Sequence, residues 1–186
     1  ITGIVFHLIC LCTFKYAGFV IGELGKISDS INLTTDIILP IGISFYTFQG
    51  ISYLVDVYRG TVQAEKSLLC YCVYISMFEQ LIAGPIVTYG LVQYDLERRN
   101  IWIEDALKGF ATFIFGLGLK VLLANPLGKL WTQALAIGFE SVSTPLAWMS
   151  IAAYSFQLYF DFFGYSLMAI GMGKMLGFDF MENFEY

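Results

Sequence analysis

Charged residues are scarce in this 186-residue sequence. Asp, Glu, Lys and Arg together make up 13% of it, whereas 58% of the residues are hydrophobic and the mean hydropathy is +0.70. A soluble domain carries about 25% charged residues, so this composition excludes an ordinary soluble domain and indicates a membrane protein with several spans. The net charge of −5 is spread over the loops. No basic patch suggests nucleic-acid binding.

Histidine and cysteine, which supply many catalytic and metal-binding groups, are also few. The single histidine, His7, lies between two apolar residues, which favours a packed or interfacial side chain over a catalytic base. The cysteines form two C-x-C pairs in apolar helical runs, Cys10/Cys12 and Cys70/Cys72. Residues two apart point to roughly opposite sides of a helix, so we interpret these cysteines as small apolar residues and expect no metal site.

Signals for export and for flexible linkers are missing too. Residues 1–22 lack the basic start and the small-residue cleavage site of a signal peptide, so this segment is interpreted as a span. No soluble-domain linker or low-complexity segment interrupts the chain. The sequence begins without methionine and ends directly after a motif. We therefore expect residues 1–186 to form a partial transmembrane domain that continues beyond Tyr186.

Apolar runs, by contrast, are abundant. They predict an all-α fold, namely a polytopic bundle of membrane helices with re-entrant or broken helices and at least four helices at membrane depth. Proline is expected to break two of these runs, at Gly84-Pro85 and at Asn125-Pro126. A re-entrant break at Gly84-Pro85 would keep Arg59 and Arg98 on the same, cytoplasmic, side. The runs cover approximately residues 1–22, 37–58, 67–83, 106–124 and 146–178.

The last of these runs carries polar residues where a plain span would have leucines. Gln157, Asp161 and Tyr165 are spaced by four, so they share one face of a helix. A carboxylate at membrane depth costs at least a few kcal/mol and usually faces protein or a water-filled cavity. Asp161 is therefore the leading functional candidate and is expected to face the bundle interior. The alternative is a structural carboxylate that only binds a neighbouring helix.

A second polar stripe follows the run 37–58. Tyr46, Gln49, Tyr53 and Asp56 step by three, four and three along an otherwise apolar helix. Unpaired polar groups in lipid are costly, so this stripe is expected to face the bundle. The alternative is a hydrogen-bonded packing seam between helices.

Three blocks of sequence stand out: residues 39–49 with the polar stripe that follows, residues 80–86, and the segment from Tyr159 to Phe184. They resemble the membrane-bound O-acyltransferase family, and most closely its bacterial alginate O-acetyltransferase branch. The blocks stand in the right order across nearly the whole chain. Leu167 departs from that branch, which often has Asp there, and matches the related D-alanyl-transfer proteins.

This resemblance implies a multi-pass enzyme of the cell membrane that passes an acyl group to an acceptor hydroxyl. It implies an acyl thioester donor or acyl-carrier protein on the cytoplasmic side, no bound cofactor, and an exported polysaccharide or a partner transferase on the other side. The family's essential histidine lies downstream of the block that ends at Tyr186, and His7 lies outside every block. We therefore expect no catalytic residue in this sequence, and no acyl transfer by residues 1–186 alone.

Acyl transfer needs a base near the acceptor hydroxyl, donors for the developing oxyanion and a path that excludes bulk water. Hydrogen-bonding side chains in the apolar runs would line such a path. The alternatives are a D-alanyl-transfer protein acting on cell-wall polymers, a membrane transporter, in which intramembrane Asp and broken helices also occur, and a non-catalytic scaffold. The expected tunnel-lining residues are Tyr46, Gln49, Gln80, Gln157, Asp161 and Tyr165.

Overall fold

A computed structural model describes residues 2–27, 38–77, 87–138 and 141–183. These residues form helices without a single strand, which confirms the predicted all-α fold. One helical turn has π geometry and joins two α-helices without a break. The elements are α1 (Thr2–Ile27), α2 (Ile43–Arg59), α3 (Leu68–Ser76), α4 (Tyr89–Arg98), α5 (Ile103–Gly118), the π turn (Leu119–Ala124), α6 (Asn125–Ile137) and α7 (Thr144–Met175).

Two helical segments in the described part of the chain are long and apolar enough to cross a membrane by length and composition. They are Thr2–Glu23 and Ile103–Ile137. The second unites α5, the π turn and α6, and its 35 residues extend about 52 Å, beyond the ~30 Å hydrocarbon core. Helix α7 has 32 residues, but tyrosines, Gln157 and Asp161 lower its mean hydropathy. The expectation of at least four helices at membrane depth is thus supported for two and stays a prediction for the others.

Proline does not break the fourth run as expected. Helix α6 begins with Asn125 and carries Pro126 in its first turn, directly after the π turn, so residues 103–137 are continuously helical. A proline removes one backbone hydrogen bond and crowds the carbonyl four residues earlier. The wider π turn accommodates that crowding without ending the helix. The other predicted break, at Gly84-Pro85, lies outside the described residues.

The described residues form two compact units, which divide between residues 96 and 97. In the first unit, α1 and α2 pack antiparallel. The imidazole of His7 lies against Gly50, where an added Cβ would approach its Cε1 to 2.7 Å, and Leu54 lies against Gly3. His7 is therefore a packing residue here, as its apolar neighbours predicted.

Four tyrosines form the interior of the rest of the first unit. Their neighbouring ring centroids are 5.0–5.2 Å apart, and two of the rings are fully buried. The Tyr53 hydroxyl accepts a hydrogen bond from the backbone N–H of Glu65 at 2.8 Å. For Tyr53, a member of the polar stripe, the structure therefore shows a packing role. The four are Tyr53, Tyr71, Tyr74 and Tyr89.

Glu65 fixes the loop between α2 and α3. Its carboxylate accepts hydrogen bonds from the Tyr89 hydroxyl and, at 2.7 Å, from the backbone N–H of Ser67. Both bonds lower the pKa of the Glu65 carboxyl because they favour its charged form, and the bond from Tyr89 has the larger effect.

The second unit is a pair of long antiparallel helices. The segment 103–137 packs along α7, and glycines allow the two backbones to approach closely at two levels. A Cβ added to Gly116 would lie 2.5 Å from the carbonyl oxygen of Gly164, and one added to Gly171 would lie 2.6 Å from that of Gly109. Gly118 lies on the same helix, away from this close approach. There the added Cβ would meet nothing within 4 Å.

After α7 the chain turns back along that helix. Gly177, with φ of 83°, makes the turn, and Phe180 then packs against Gly173. The side-chain amide of Asn183 donates to the hydroxyl of Ser166 at 3.0 Å. The third sequence block is thus folded on itself, because its last described residues lie beside the middle of α7.

A matched pair of substitutions tests the close helix approach. Gly116→Ala should destabilise the protein by about 1–3 kcal/mol, since its Cβ meets a backbone oxygen that cannot move without separating the helices. Gly118→Ala makes the same chemical change on the same helix and should be neutral or stabilising by up to ~1 kcal/mol, because Ala is the better helix former. Thermal unfolding of both variants in detergent measures the difference; equal effects would contradict the packing described here.

The Glu65 hydrogen bonds predict an acid-sensitive first unit. A carboxyl with a lowered folded pKa contributes stability above its unfolded value, here 4.5, and loses it as the pH falls through the folded value. Tyr89→Phe removes the strongest of these bonds. Between about pH 6 and about pH 3.5 the melting temperature of the wild type should therefore fall by more than that of Tyr89→Phe. Parallel acid-induced losses in the two proteins would rule out this coupling.

Candidate functional site

A salt bridge connects the two helices of the second unit. The ammonium group of Lys120, in the π turn, donates to the Asp161 carboxylate of α7. Lys120 lies midway between the ends of Ile103–Ile137, so a spanning helix places it near the centre of the bilayer. Charges at that depth are costly alone and usually occur in pairs. The pair is accessible on the surface of this unit, with side chains 37% and 43% exposed.

The π turn determines which residues of the long helix meet α7. The backbone N–H of Asn125 bonds to the carbonyl of Lys120, five residues earlier. One extra residue in a turn rotates everything after it relative to a regular α-helix. Ala124 is accordingly 2% exposed and Leu123 39% exposed. π turns occur often at functional sites, and this one carries a charged residue.

Gln157 lies one turn from Asp161 on α7 and faces α6, the part of the long helix that follows the π turn. A Cβ added to Gly128 would lie 3.0 Å from the side-chain amide of Gln157, so the amide packs closely against this glycine. The Gln157 Oε1 atom is buried and accepts no hydrogen bond from the part of the chain that the structure describes. An unsatisfied buried acceptor costs about 1–3 kcal/mol. This oxygen is therefore a candidate to accept a hydrogen bond from a ligand or a water.

A polar cleft of about 570 Å³ opens beside this amide. Its walls combine residues of the π turn, the first turns of α6 and Gln157 of α7. They are Val121, Ala124, Asn125, Pro126, Gly128, Lys129, Thr132 and Gln157.

A second cleft, of about 580 Å³, lies on the same helix pair beside α5, on the N-terminal side of the π turn. The returning C-terminal segment contributes Glu182 to its rim, and α5 and α7 contribute an apolar floor that includes Phe115 and Phe163. Sequence reasoning did not single out Glu182 as a site residue. The hydrogen bond of its neighbour Asn183 to Ser166, which brings it there, has no local sequence signal.

The predicted site residues fall in different parts of the molecule. Gln157 and Asp161 both face the long helix, as their spacing of four indicated, and Tyr165 is half-buried one turn further on. Tyr46 and Gln49 belong to the first unit, where Gln49 is buried. Gln80 lies outside the described residues. That Asp161 lines a reaction path stays a prediction.

The partner of Asp161 was missed. The sequence pattern around Asp161 did not identify Lys120, although this lysine lies in the apolar run 106–124. Lys120 and Asp161 are nearly equally far along the chain from the connection between α6 and α7. Two antiparallel helices joined by a short connection bring residues at equal distances from that connection to the same level. The equal distances and the opposite charges could therefore have predicted this ion pair from the sequence.

A double substitution distinguishes the contribution of the salt bridge from the contributions of its two side chains. Lys120→Met should lower stability by about 2–3 kcal/mol, because it leaves the Asp161 carboxylate alone at membrane depth. Lys120→Met combined with Asp161→Leu should recover most of that loss, since no charge remains. Lys108→Met, on the same helix near its end, is the control and should change little. Denaturation curves in detergent provide the measurement, and additive losses in the double variant would exclude the pairing.

Comparison with known proteins places these features in context. No protein-family model matches the chain. Over its full length the chain is 42% identical to the probable alginate O-acetylase AlgI of Pseudomonas aeruginosa, of which it covers 36%. It is 33% identical to the peptidoglycan O-acetyltransferase of Helicobacter pylori, again over its full length and 40% of that protein. Identity to the teichoic acid D-alanyltransferase of Bacillus subtilis is 24%, over 78% of the chain and 37% of the relative.

Proposed function

We propose that the whole protein is an O-acetyltransferase. The chain is homologous over its whole length to one segment of bacterial alginate O-acetylases. This homology confirms its resemblance to the membrane-bound O-acyltransferase family. The whole protein would transfer an acetyl group across the cell membrane to hydroxyls of an exported polysaccharide. The chain spans no more than 40% of the length of the relatives described above, so this activity is assigned to the complete protein.

The observation that carries the proposal is the acceptor that appears in the names of the acetyl-transferring relatives. Alginate O-acetylases of two genera are 40–42% identical to the chain, and the peptidoglycan enzyme is 33% identical. Both acceptors are glycan polymers outside the cytoplasm. The relatives are named as transferases, which favours an enzyme over the transporter and scaffold alternatives.

D-alanyl transfer to a cell-wall polymer is the second candidate. Leu167 matches the D-alanyl-transfer proteins at a position where the acetylases often have Asp, and one such protein is 24% identical over 78% of the chain. The higher identity to the acetylases, over the full chain, supports acetyl transfer.

The reaction requires a donor and a proton acceptor. An acyl thioester, free or on a carrier protein at the cytoplasmic face, would lose its C–S bond as the acceptor oxygen forms the new ester. The acceptor proton would pass to a base, which the family resemblance assigns to a histidine beyond Tyr186, and the sulfur would leave as a thiol.

The second unit would contribute the mid-membrane part of the path. Lys120 and Asp161 are polar, paired and accessible at a depth where lipid would otherwise surround them. A water-filled or protein-lined path on that face would explain both the exposure and the charge. We propose Asp161 as a residue of this path, together with the tunnel-lining candidates Tyr46, Gln49, Gln80, Gln157 and Tyr165 in a multi-pass protein.

Complementation tests the activity. The full-length protein, expressed in a bacterium that lacks its own alginate O-acetylase, should restore O-acetyl groups to the exported polymer. Asp161→Asn should reduce acetylation at least about tenfold at normal expression, which corresponds to about 1.4 kcal/mol in the barrier. Glu104→Gln, at the exposed start of α5, is the control and should retain activity.

The possible outcomes separate the hypotheses. Loss of yield with unchanged activity per molecule would assign Asp161 to helix packing alone. D-alanine esters on a cell-wall polymer, without O-acetylation, would favour the second candidate. Failure of the full-length protein to modify any polymer would reject the proposed function.

A further inference from the structure

The cleft beside Gln157 lies at a defined depth. Lys129, in its wall, follows Lys120 by nine residues, which is about 14 Å along the helix. Half of the hydrocarbon core is about 15 Å thick, so a Lys120 near the bilayer centre places Lys129 at the boundary between the hydrocarbon core and the lipid headgroups, which its long side chain can reach.

Aromatic residues mark the same level. Trp131 packs against Tyr154 of α7, with ring centroids 4.8 Å apart, two residues beyond Lys129. Trp and Tyr are enriched at membrane–water interfaces, where an apolar ring and a polar group face different media. The helix arithmetic and the aromatic pair therefore agree on an interfacial cleft.

The cleft is polar and positively charged. Lys129 is the one charged side chain among its eight lining residues, and it forms no ion pair within the described ranges of the chain. Asp161, the nearby carboxylate on α7, is engaged by Lys120. Asn125 and Thr132 add an amide and a hydroxyl; the Thr132 proton is donated to backbone carbonyls of its own helix, which leaves its oxygen as an acceptor.

Gln157 adds an acceptor that lacks a donor. Its Oε1 is buried against the cleft-lining glycine Gly128 and receives no hydrogen bond from the residues that the structure describes. A ligand that fits this cleft would thus carry an anionic group for Lys129 and a hydroxyl or N–H donor for Gln157.

We propose that this cleft binds the phosphate-bearing headgroup of an anionic phospholipid. The phosphate pairs with Lys129, and a headgroup hydroxyl donates to Gln157. Basic pockets between membrane helices at headgroup depth bind anionic lipids in this way, and the attraction is local because salt screens it within a Debye length. Gln157 is also a candidate residue of the acyl-transfer path, whereas Lys129, the proposed phosphate contact, is not.

Lipid-dependent stability of the purified full-length protein tests the proposal. In detergent, dioleoyl phosphatidylglycerol should raise the melting temperature of the wild type by about 3–6 °C more than phosphatidylcholine, as expected for a lipid about tenfold above its dissociation constant. Lys129→Gln should remove at least half of this difference, and Gln157→Leu should weaken it. Lys108→Gln makes the same charge change on the same helix away from the cleft, and should leave the difference intact.

Three results bear on the site. Equal losses in Lys108→Gln and Lys129→Gln would show a nonspecific charge effect and overturn the proposal, as would equal stabilisation of the wild type by the two lipids. If inorganic phosphate protects as well as phosphatidylglycerol and only through Lys129, the phosphate site stands with a soluble anion as its ligand. Because the readout is stability, a negative result leaves the proposed acyltransferase activity to its own test.

Discussion

A charge in the hydrocarbon core needs a partner of opposite sign, and the second unit supplies one by holding two long helices close together. Gly116 and Gly164 let the backbones approach near the level of the charges, and Lys120 then reaches Asp161. The glycines and the salt bridge support each other. Without the close approach the charges would be separated, and without the charges this unit would lose the polar contact that defines its level in the bilayer.

The π turn links this structural arrangement to the neighbouring cleft. It presents Lys120 to α7 and rotates the following residues so that Ala124 packs inward. The π turn thus has two structural effects along the helix. It places a cation at mid-depth, and it shapes the wall of a cleft in which Gln157 keeps an unsatisfied oxygen. Such unpaired groups are rare in packed regions, which is why this cleft is more than a gap between helices.

Sequence patterns predicted those features that depend on short-range periodicity. The apolar runs predicted the helices, and the spacing of four placed Gln157 and Asp161 on one side of α7. The apolar neighbours of His7 also predicted a packed side chain, and its ring lies on Gly50. Features that depend on pairing between helices were not accessible. The partner of Asp161, the unoccupied space beside Gly118 and the return of Asn183 to Ser166 each depend on which helix lies opposite. The helix through Pro126 was missed because a proline signal does not reveal a π turn before it.

The short connection between the two long helices has a consequence for biosynthesis. A helix that entered the membrane alone with Lys120 near its centre would carry a penalty of about 2.5–3.5 kcal/mol, and α7 would carry a similar one for Asp161. Only six residues separate the end of α6 from the start of α7, so the second helix follows the first almost at once during translation. Insertion of both as one hairpin, with the two charges already neutralised by each other, would avoid the two penalties that sequential insertion would incur.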